Sequence, residues 1–91
     1  MPAVWDNAKK RRYELDLDGQ AAIATYRRKD GVVTFLHTEV PEALRGRGSA
    51  KELVKGALED VRARGEKIVP RCPFVAAYVK KHPEVQDLVA P

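Results

Sequence analysis

Hydrophobic and polar positions alternate along the first third of the chain. Tyr13, Leu15 and Leu17 are separated by Glu14 and Asp16, the period-two pattern of a strand with one buried face. Asp18 and Gly19 then supply a hairpin turn dipeptide. Residues 20–27 carry Ala21, Ile23 and Thr25 on one side and Ala22, Ala24 and Tyr26 on the other, which suits a more central second strand. Lys29, Asp30 and Gly31 make the next turn, and residues 32–40 form a third strand. Strict alternation places Val33, Phe35, His37 and Glu39 on one face of it, and Val32, Thr34, Leu36, Thr38 and Val40 on the other.

The period then changes. Ala50, Leu53, Val54, Ala57, Leu58 and Val61 recur at spacings of three and four, which predicts a helix running to about Arg64, with Gly65 as its C-cap. A short fourth strand is centred on Ile68 and Val69. Pro73 suits the first position of a helix, so Cys72 is expected at the N-cap of a short helix through Val75, Tyr78 and Val79 to about Lys81. His82, Pro83 and Glu84 end it and open a last turn over residues 85–89, with His82 read as a partner of the helix dipole.

The predicted fold class is therefore α+β: antiparallel N-terminal strands, then a βαβ unit, then short C-terminal helices. A strand, a helix and a returning strand must pair in parallel. The third strand near Val40, the helix start near Gly48 and the fourth strand near Cys72 then share one sheet edge, the carboxyl edge where open α/β sheets bind ligands. Residues 1–10 show no apolar periodicity and are expected to be a flexible N-terminal arm with Trp5 as its anchor; residues 11–91 form the compact domain.

Composition narrows this picture modestly. The 91 residues suit one domain, and no apolar run approaches a membrane span or a signal peptide, so a cytoplasmic protein is expected. One cysteine excludes an internal disulfide, and with two histidines far apart in sequence it builds no zinc site; no metal is expected. The net charge of +4 suits anionic partners without choosing among a nucleic acid, a phosphate-bearing cofactor and solvent.

Candidate chemistry centres on the loop Leu44-Arg45-Gly46-Arg47-Gly48-Ser49-Ala50, which leads into the long helix. Glycines let an anion reach backbone N–H groups, the helix start offers unpaired donors, and Arg45 and Arg47 add charge-assisted bonds. The alternative is a solvated basic turn. Ser49 with Glu52 also fits a capping box. Cys72, at a helix N-terminus beside Arg71, is placed to favour a thiolate, the alternative being a buried structural thiol. His37, with Glu39 on the same face, is expected to meet Cys72 across adjacent strands and to serve as a base; otherwise it is a histidine fitted into a sheet.

Arg45-x-x-Gly48-x-Ala50 resembles the pyrophosphate loop of the GNAT superfamily of N-acetyltransferases. Val40-Pro41-Glu42-x-x-Arg45-Gly46-x-Gly48, then Ile68-Val69-Pro70-x-Cys72-Pro73-Phe74-Val75 and His82-Pro83, are similar to the small YjdJ-type group within it. The resemblance implies a GNAT-like domain over residues 11–91 whose parallel strands splay around acetyl-CoA (coenzyme A). It implies that Val40, Arg45, Gly46, Arg47, Gly48, Ser49 and Ala50 hold the cofactor, and that Cys72 and His37 are catalytic; Glu39, nearer the sheet edge than His37, is read as orienting it or as the base itself. It also implies that the chain lacks the strand and helices that build an acceptor pocket in larger members.

Under that resemblance an acetyl group passes to an amine of unknown identity, directly or through an acetyl-cysteine, with a strand N–H polarising the carbonyl. The alternatives are a CoA-binding module with little turnover and a basic nucleic-acid-binding domain. The latter ranks last because it leaves Cys72-Pro73 unexplained. A monomer or weak homodimer with no membrane partner is expected.

Overall fold

The computed structural model describes residues 4–91. Five strands form one sheet in chain order: β1 (Val4–Asn7), β2 (Arg12–Leu17), β3 (Gln20–Lys29), β4 (Val32–Glu39) and β5 (Lys67–Pro70). Neighbours are antiparallel except β4 and β5, which are parallel and joined by helix α1 (Ser49–Ala63). Helix α2 (Pro73–Lys81) follows, with 3-10 turns at Glu42–Leu44 and Pro83–Leu88. The α+β architecture and the βαβ unit are those expected from the change of hydrophobic period.

The core lies between one face of the sheet and the two helices. Leu53, Val54, Ala57, Leu58 and Val61 of α1 are buried against Tyr13, Leu15, Ala22, Ala24, Val33 and Phe35, and α2 adds Val75 and Val79. Such a stripe is what sets the helix on the sheet, since each fully buried aliphatic side chain contributes about 1.5–3 kcal/mol. Gly65 stops α1 in a left-handed conformation (φ +71°), with its N–H donating to Arg62 and that of Glu66 to Val61. At the far edge Val89 and Ala90 lie beside β5, where the Ala90 N–H donates to the Ile68 carbonyl at 2.8 Å. Among the described residues no helix is long and apolar enough to cross a membrane.

The arm expected over residues 1–10 is corrected from Val4 onward: Val4–Asn7 is a strand paired with β2. Its start, residues 1–3, lies outside the described residues. Trp5 donates to Asp16 at 2.9 Å yet stays 44% exposed, so it is not the main anchor. Val4 is, because it fills the space over Gly56 of α1 so closely that a Cβ at position 56 would stand 2.5 Å from its side chain. Asp6 is the second anchor, within a polar network that closes this end of the molecule.

Arg28 is the hub of that network. It donates to Asp6 at 2.8 Å, to the Tyr13 hydroxyl at 2.9 Å and to Glu66 at 3.0 Å, and its guanidinium lies 4.8 Å from the Tyr26 ring centre. The Tyr13 hydroxyl donates to Asp60 at 2.6 Å, the Tyr26 hydroxyl donates to Asp6, and Arg64 reaches both carboxylates. Burial pushes the Tyr26 phenol up to about 12, assisted by its bond to Asp6 and opposed by Arg28. Burial, then Asp60, drives Tyr13 higher still.

Two outcomes follow for stability. Gly56→Ala should lower it by about 1–2 kcal/mol, the overpacking against Val4 exceeding the roughly 1 kcal/mol of helix propensity gained; urea unfolding should show recovery in the Gly56→Ala, Val4→Ala double variant. A folded-state phenol pKa raised from 10.0 to about 12 means that Tyr26 contributes fully below pH 10 and that this contribution is lost as pH climbs toward 12. Tyr26→Phe should cost about 1–3 kcal/mol at neutral pH and flatten the alkaline decline, read from unfolding curves across that range.

Candidate functional site

The site is built where β4 parts from β5. Their parallel pairing runs from Val32 opposite Lys67 to Phe35 opposite Pro70 and stops there, although β4 continues to Glu39. The Phe35 carbonyl takes the last bonds, from the N–H groups of Arg71 (3.1 Å) and Cys72 (2.9 Å). At the same point the antiparallel register with β3 slips: Tyr26 pairs with Phe35, but Thr25 pairs with His37. Leu36 is therefore an extra residue, a β-bulge.

The bulge resets which face each later side chain occupies. Paired residues point to the same side of a sheet, so His37 and Glu39 join Thr25 and Ile23 on the face without helices, while Thr38 joins Ala24 on the core face. The expectation that His37 meets Cys72 assumed unbroken alternation and is corrected. His37 and Glu39 are 63% and 64% exposed, with Nε2 3.6 Å from Oε1. Cys72 is buried at 3% exposure, with Sγ 3.2 Å from the Thr38 hydroxyl. The N-cap position foreseen for Cys72 holds: its carbonyl accepts from Ala76 at 2.9 Å and Pro73 begins α2.

The loop before α1 has the form of an anion cradle. Gly46 (φ +79°) and Gly48 (φ +73°) both adopt left-handed backbone, which a side chain would strain. Among the described residues, the amides of residues 46–51 donate no hydrogen bond of ordinary geometry within the chain; the first such donor in α1 is Glu52, to the Gly48 carbonyl at 3.0 Å. Free amides and a helix dipole here favour a negative charge.

Ser49 does not supply the expected capping box. Gly48 is the N-cap, no side chain caps the helix, and the buried Ser49 hydroxyl donates back to the Leu44 carbonyl at 3.1 Å. The serine thus braces the loop instead of using a free amide. Arg45 donates to the Val40 carbonyl at 3.2 Å, and Arg47 pairs with Asp18 at 2.8 Å while remaining half exposed.

A groove of about 440 Å³ leads from this cradle. Val40 and Leu44 line one side, Phe74 and Tyr78 of α2 the other, with Arg45 and Lys51 at the cradle. His82 also lines it, stacked on Tyr78 (centres 3.9 Å apart, 17° between planes) and held by Glu84 at 3.1 Å from Nδ1. Sequence reasoning left Phe74, Tyr78 and His82 out of the site. The signal was their spacing of four on α2, which gives that helix a second stripe beside its core-facing one.

A second groove, of about 470 Å³, opens on the opposite face along Ile23, His37 and Glu39. Val40 and Arg45 line both grooves, so the two faces meet at the end of β4. The coenzyme implied by the sequence fits what is present: unbonded amides and two cations for a diphosphate, then an apolar channel for a slender arm. Among the described residues no three side chains come together to hold a metal ion.

The model of the GCN5-related N-acetyl-transferase family matches residues 12–88. Protein NATD1 of chicken is 39% identical over 93% of this chain and 80% of its own length. Protein NATD1 of mouse is 46% identical over 63% of this chain, an alignment spanning 52% of that protein. The NMR structure of a GCN5-like protein from Staphylococcus aureus superposes with a TM-score of 0.71 at 28% identity, covering 96% of this chain and 86% of that one.

Since Cys72 is the one thiol in the sequence, alkylation reads its burial directly. Iodoacetamide should label the native protein at least about a hundredfold more slowly than the urea-unfolded chain, as for a group that reacts only through local opening. Equal rates would show that the thiol is open.

Proposed function

The chain belongs to the GCN5-related N-acetyltransferase family, and from that premise we propose that it moves the acetyl group of acetyl-CoA to an amine. The observation that carries this reading is the run of unbonded amides at residues 46–51, which spans two left-handed glycines and the first residues of α1. Such a row gives a diphosphate several donors and no competing internal acceptor. Arg45 and Lys51 add positive charge at the cradle. Gly46 and Gly48 leave space, since a Cβ at either meets nothing within 4 Å. Val40, Leu44 and Phe74 give the channel apolar walls.

Bound acetyl-CoA supplies an acetyl thioester as the electrophile. His37 is the base in this reading, with Glu39 orienting its ring from 3.6 Å. As the new N–C bond forms and the thioester C–S bond breaks, one amine proton passes to the imidazole and a proton returns to the sulfur, which leaves as the thiol. The amine approaches from the helix-free face, where both residues stand. That order of events, a direct transfer, accords with the burial of Cys72. A second reading places the acetyl group first on Cys72. Its support is position, because the thiol lies where β5 ends and faces Thr38 of the parted β4.

Calorimetry with acetyl-CoA tests the cofactor site. Arg45→Ala should weaken binding about tenfold, the effect of one lost charge-assisted bond. Gly48→Ala should do so as well, at about 1–2 kcal/mol of left-handed strain. His37→Gln should leave affinity intact and lower turnover by about a hundredfold or more. Intact mass after mixing with acetyl-CoA alone separates the routes: an acetyl adduct lost in Cys72→Ala supports the cysteine relay, whereas full turnover by Cys72→Ala supports direct transfer. Failure of acetyl-CoA to bind the wild type would sink the proposal.

A further inference from the structure

The face without helices carries two grooves that lie end to end and adjoin at the bulge. Leu36 and His37 are neighbours across the bulge, and each lines a groove on that face: His37 the one reaching Glu39 and Ile23, Leu36 the one running past Thr25 to Arg27 and Lys29 and out to Lys10 and Arg11 in the β1–β2 turn. Lys9, Lys10, Arg11, Arg27 and Lys29 are all exposed. None of them forms an ion pair among the described residues, whereas Arg12, Arg28, Arg47, Arg62 and Arg64 each hold a carboxylate. These five cations thus stand close together without an ion pair on the helix-free side, apart from Arg45 and Lys51 at the cradle, and at one end of a track whose other end carries His37 and Glu39.

We propose that this track binds the acceptor as an extended, acidic segment of a protein, with the acceptor lysine at His37 and its carboxylates over Arg27, Lys29 and the β1–β2 turn. The inference rests on the acetyl-transfer reading of the site. Because Thr25 pairs with His37, Arg27 and Lys29 stand two and four residues along β3 from the base, about 7 and 13 Å at strand rise. An extended peptide has the same rise, so its acidic residues fall about two and four positions from the lysine, all on one side of it. Leu36, 45% exposed between the two ends, gives the segment an apolar contact midway. The reaction is the one already balanced: the lysine Nζ–C bond forms, the thioester C–S bond breaks, the proton goes to His37 and the sulfur leaves as the thiol. A nucleic acid fits less well. It needs cations along its whole path, and this path ends at Glu39, with Trp5 as the exposed aromatic ring of the face, already bonded to Asp16.

The test uses peptides of equal length, each with a single lysine, carrying glutamate, glutamine or arginine two and four positions to one side. With acetyl-CoA saturating, kcat/KM should be about three- to tenfold higher for the glutamate peptide than for the glutamine one, the range for a few exposed ion pairs, and the advantage should shrink as salt rises. The Arg27→Glu, Lys29→Glu variant should reverse the order of the glutamate and arginine peptides while keeping its acetyl-CoA affinity and melting temperature. Lys9→Glu, Lys10→Glu provides the same reading should the first pair disturb β3. Acetylation without charge preference, a preference untouched by either variant, or no peptide acetylated despite acetyl-CoA binding would each overturn this inference and leave the cofactor site standing. Loss of duplex DNA binding in both variants, with no peptide preference, would overturn it in favour of nucleic acid. Absence of acetyl-CoA binding would instead remove the reading on which it rests.

Discussion

One inserted residue governs the site. With Leu36 left out of the pairing between β3 and β4, β4 bends just where its parallel partner ends, and the strands part instead of continuing as a ladder. The same residue rotates everything after it by one face. His37 and Glu39 go outward, and Thr38 turns inward onto Cys72. A regular β4 would have buried an imidazole and a carboxylate beneath α2 and sent the threonine to solvent. Desolvating two such groups without full partners is costly, so the bulge is also what allows a histidine and a glutamate to sit on this strand at all.

The opened end is tolerated because the other end is closed. Around Arg28, side chains from β1, β2, β3, the C-terminal turn of α1 and the segment entering β5 are tied into one hydrogen-bonded set. Helix α1 carries that set at its C-terminal end and the cradle at its N-terminal end, about 22 Å apart for 15 residues. Rigid packing along this rod is what gives the cradle a fixed position relative to the sheet. Ser49 completes the arrangement locally, since its hydroxyl secures the Leu44 carbonyl while the amides beside it stay free. Free amides and a held loop are different requirements, and the sequence meets them with different atoms of the same few residues.

Much of this was legible in the sequence because it depends on local periodicity. The stripe from Leu53 to Val61, the turns at Gly19 and Gly31, and Pro73 after Cys72 each act within a few residues. The shape of the loop before α1 was legible for the same reason, as two glycines and a helix start need no distant partner. What escaped depends on contacts remote in sequence. Nothing in residues 1–10 reveals that Val4 fits over Gly56, and the glycine in mid-helix was the one visible trace of it. The bulge escaped because a period-two reading has no term for an inserted residue, and the flaw passed directly into the placement of His37 beside Cys72. The second stripe of α2, Phe74, Tyr78 and His82, was masked by the core-facing residues interleaved with it.

In the function proposed for this chain, the two faces of the end of β4 divide the chemistry between them. A thioester and an amine must meet at one carbon, yet the thioester needs a dry channel and the amine must shed a proton to a base in contact with water. Placing both requirements on one face would set the ammonium form of the acceptor against the cations of the cradle. With the strands parted, Val40 and Arg45 border the groove on each side, so in the proposed reaction the acetyl carbon would be reached from the helix-free face while the diphosphate would stay on the other. The charges nearest the end of β4 fit the same proposed division: cations at the cradle for the donor and a carboxylate beside the imidazole where a lysine would arrive, with the cations of Arg27 and Lys29 farther along β3. In the proposed reaction the sheet itself serves as the partition, and the cost is a single unpaired residue in one strand.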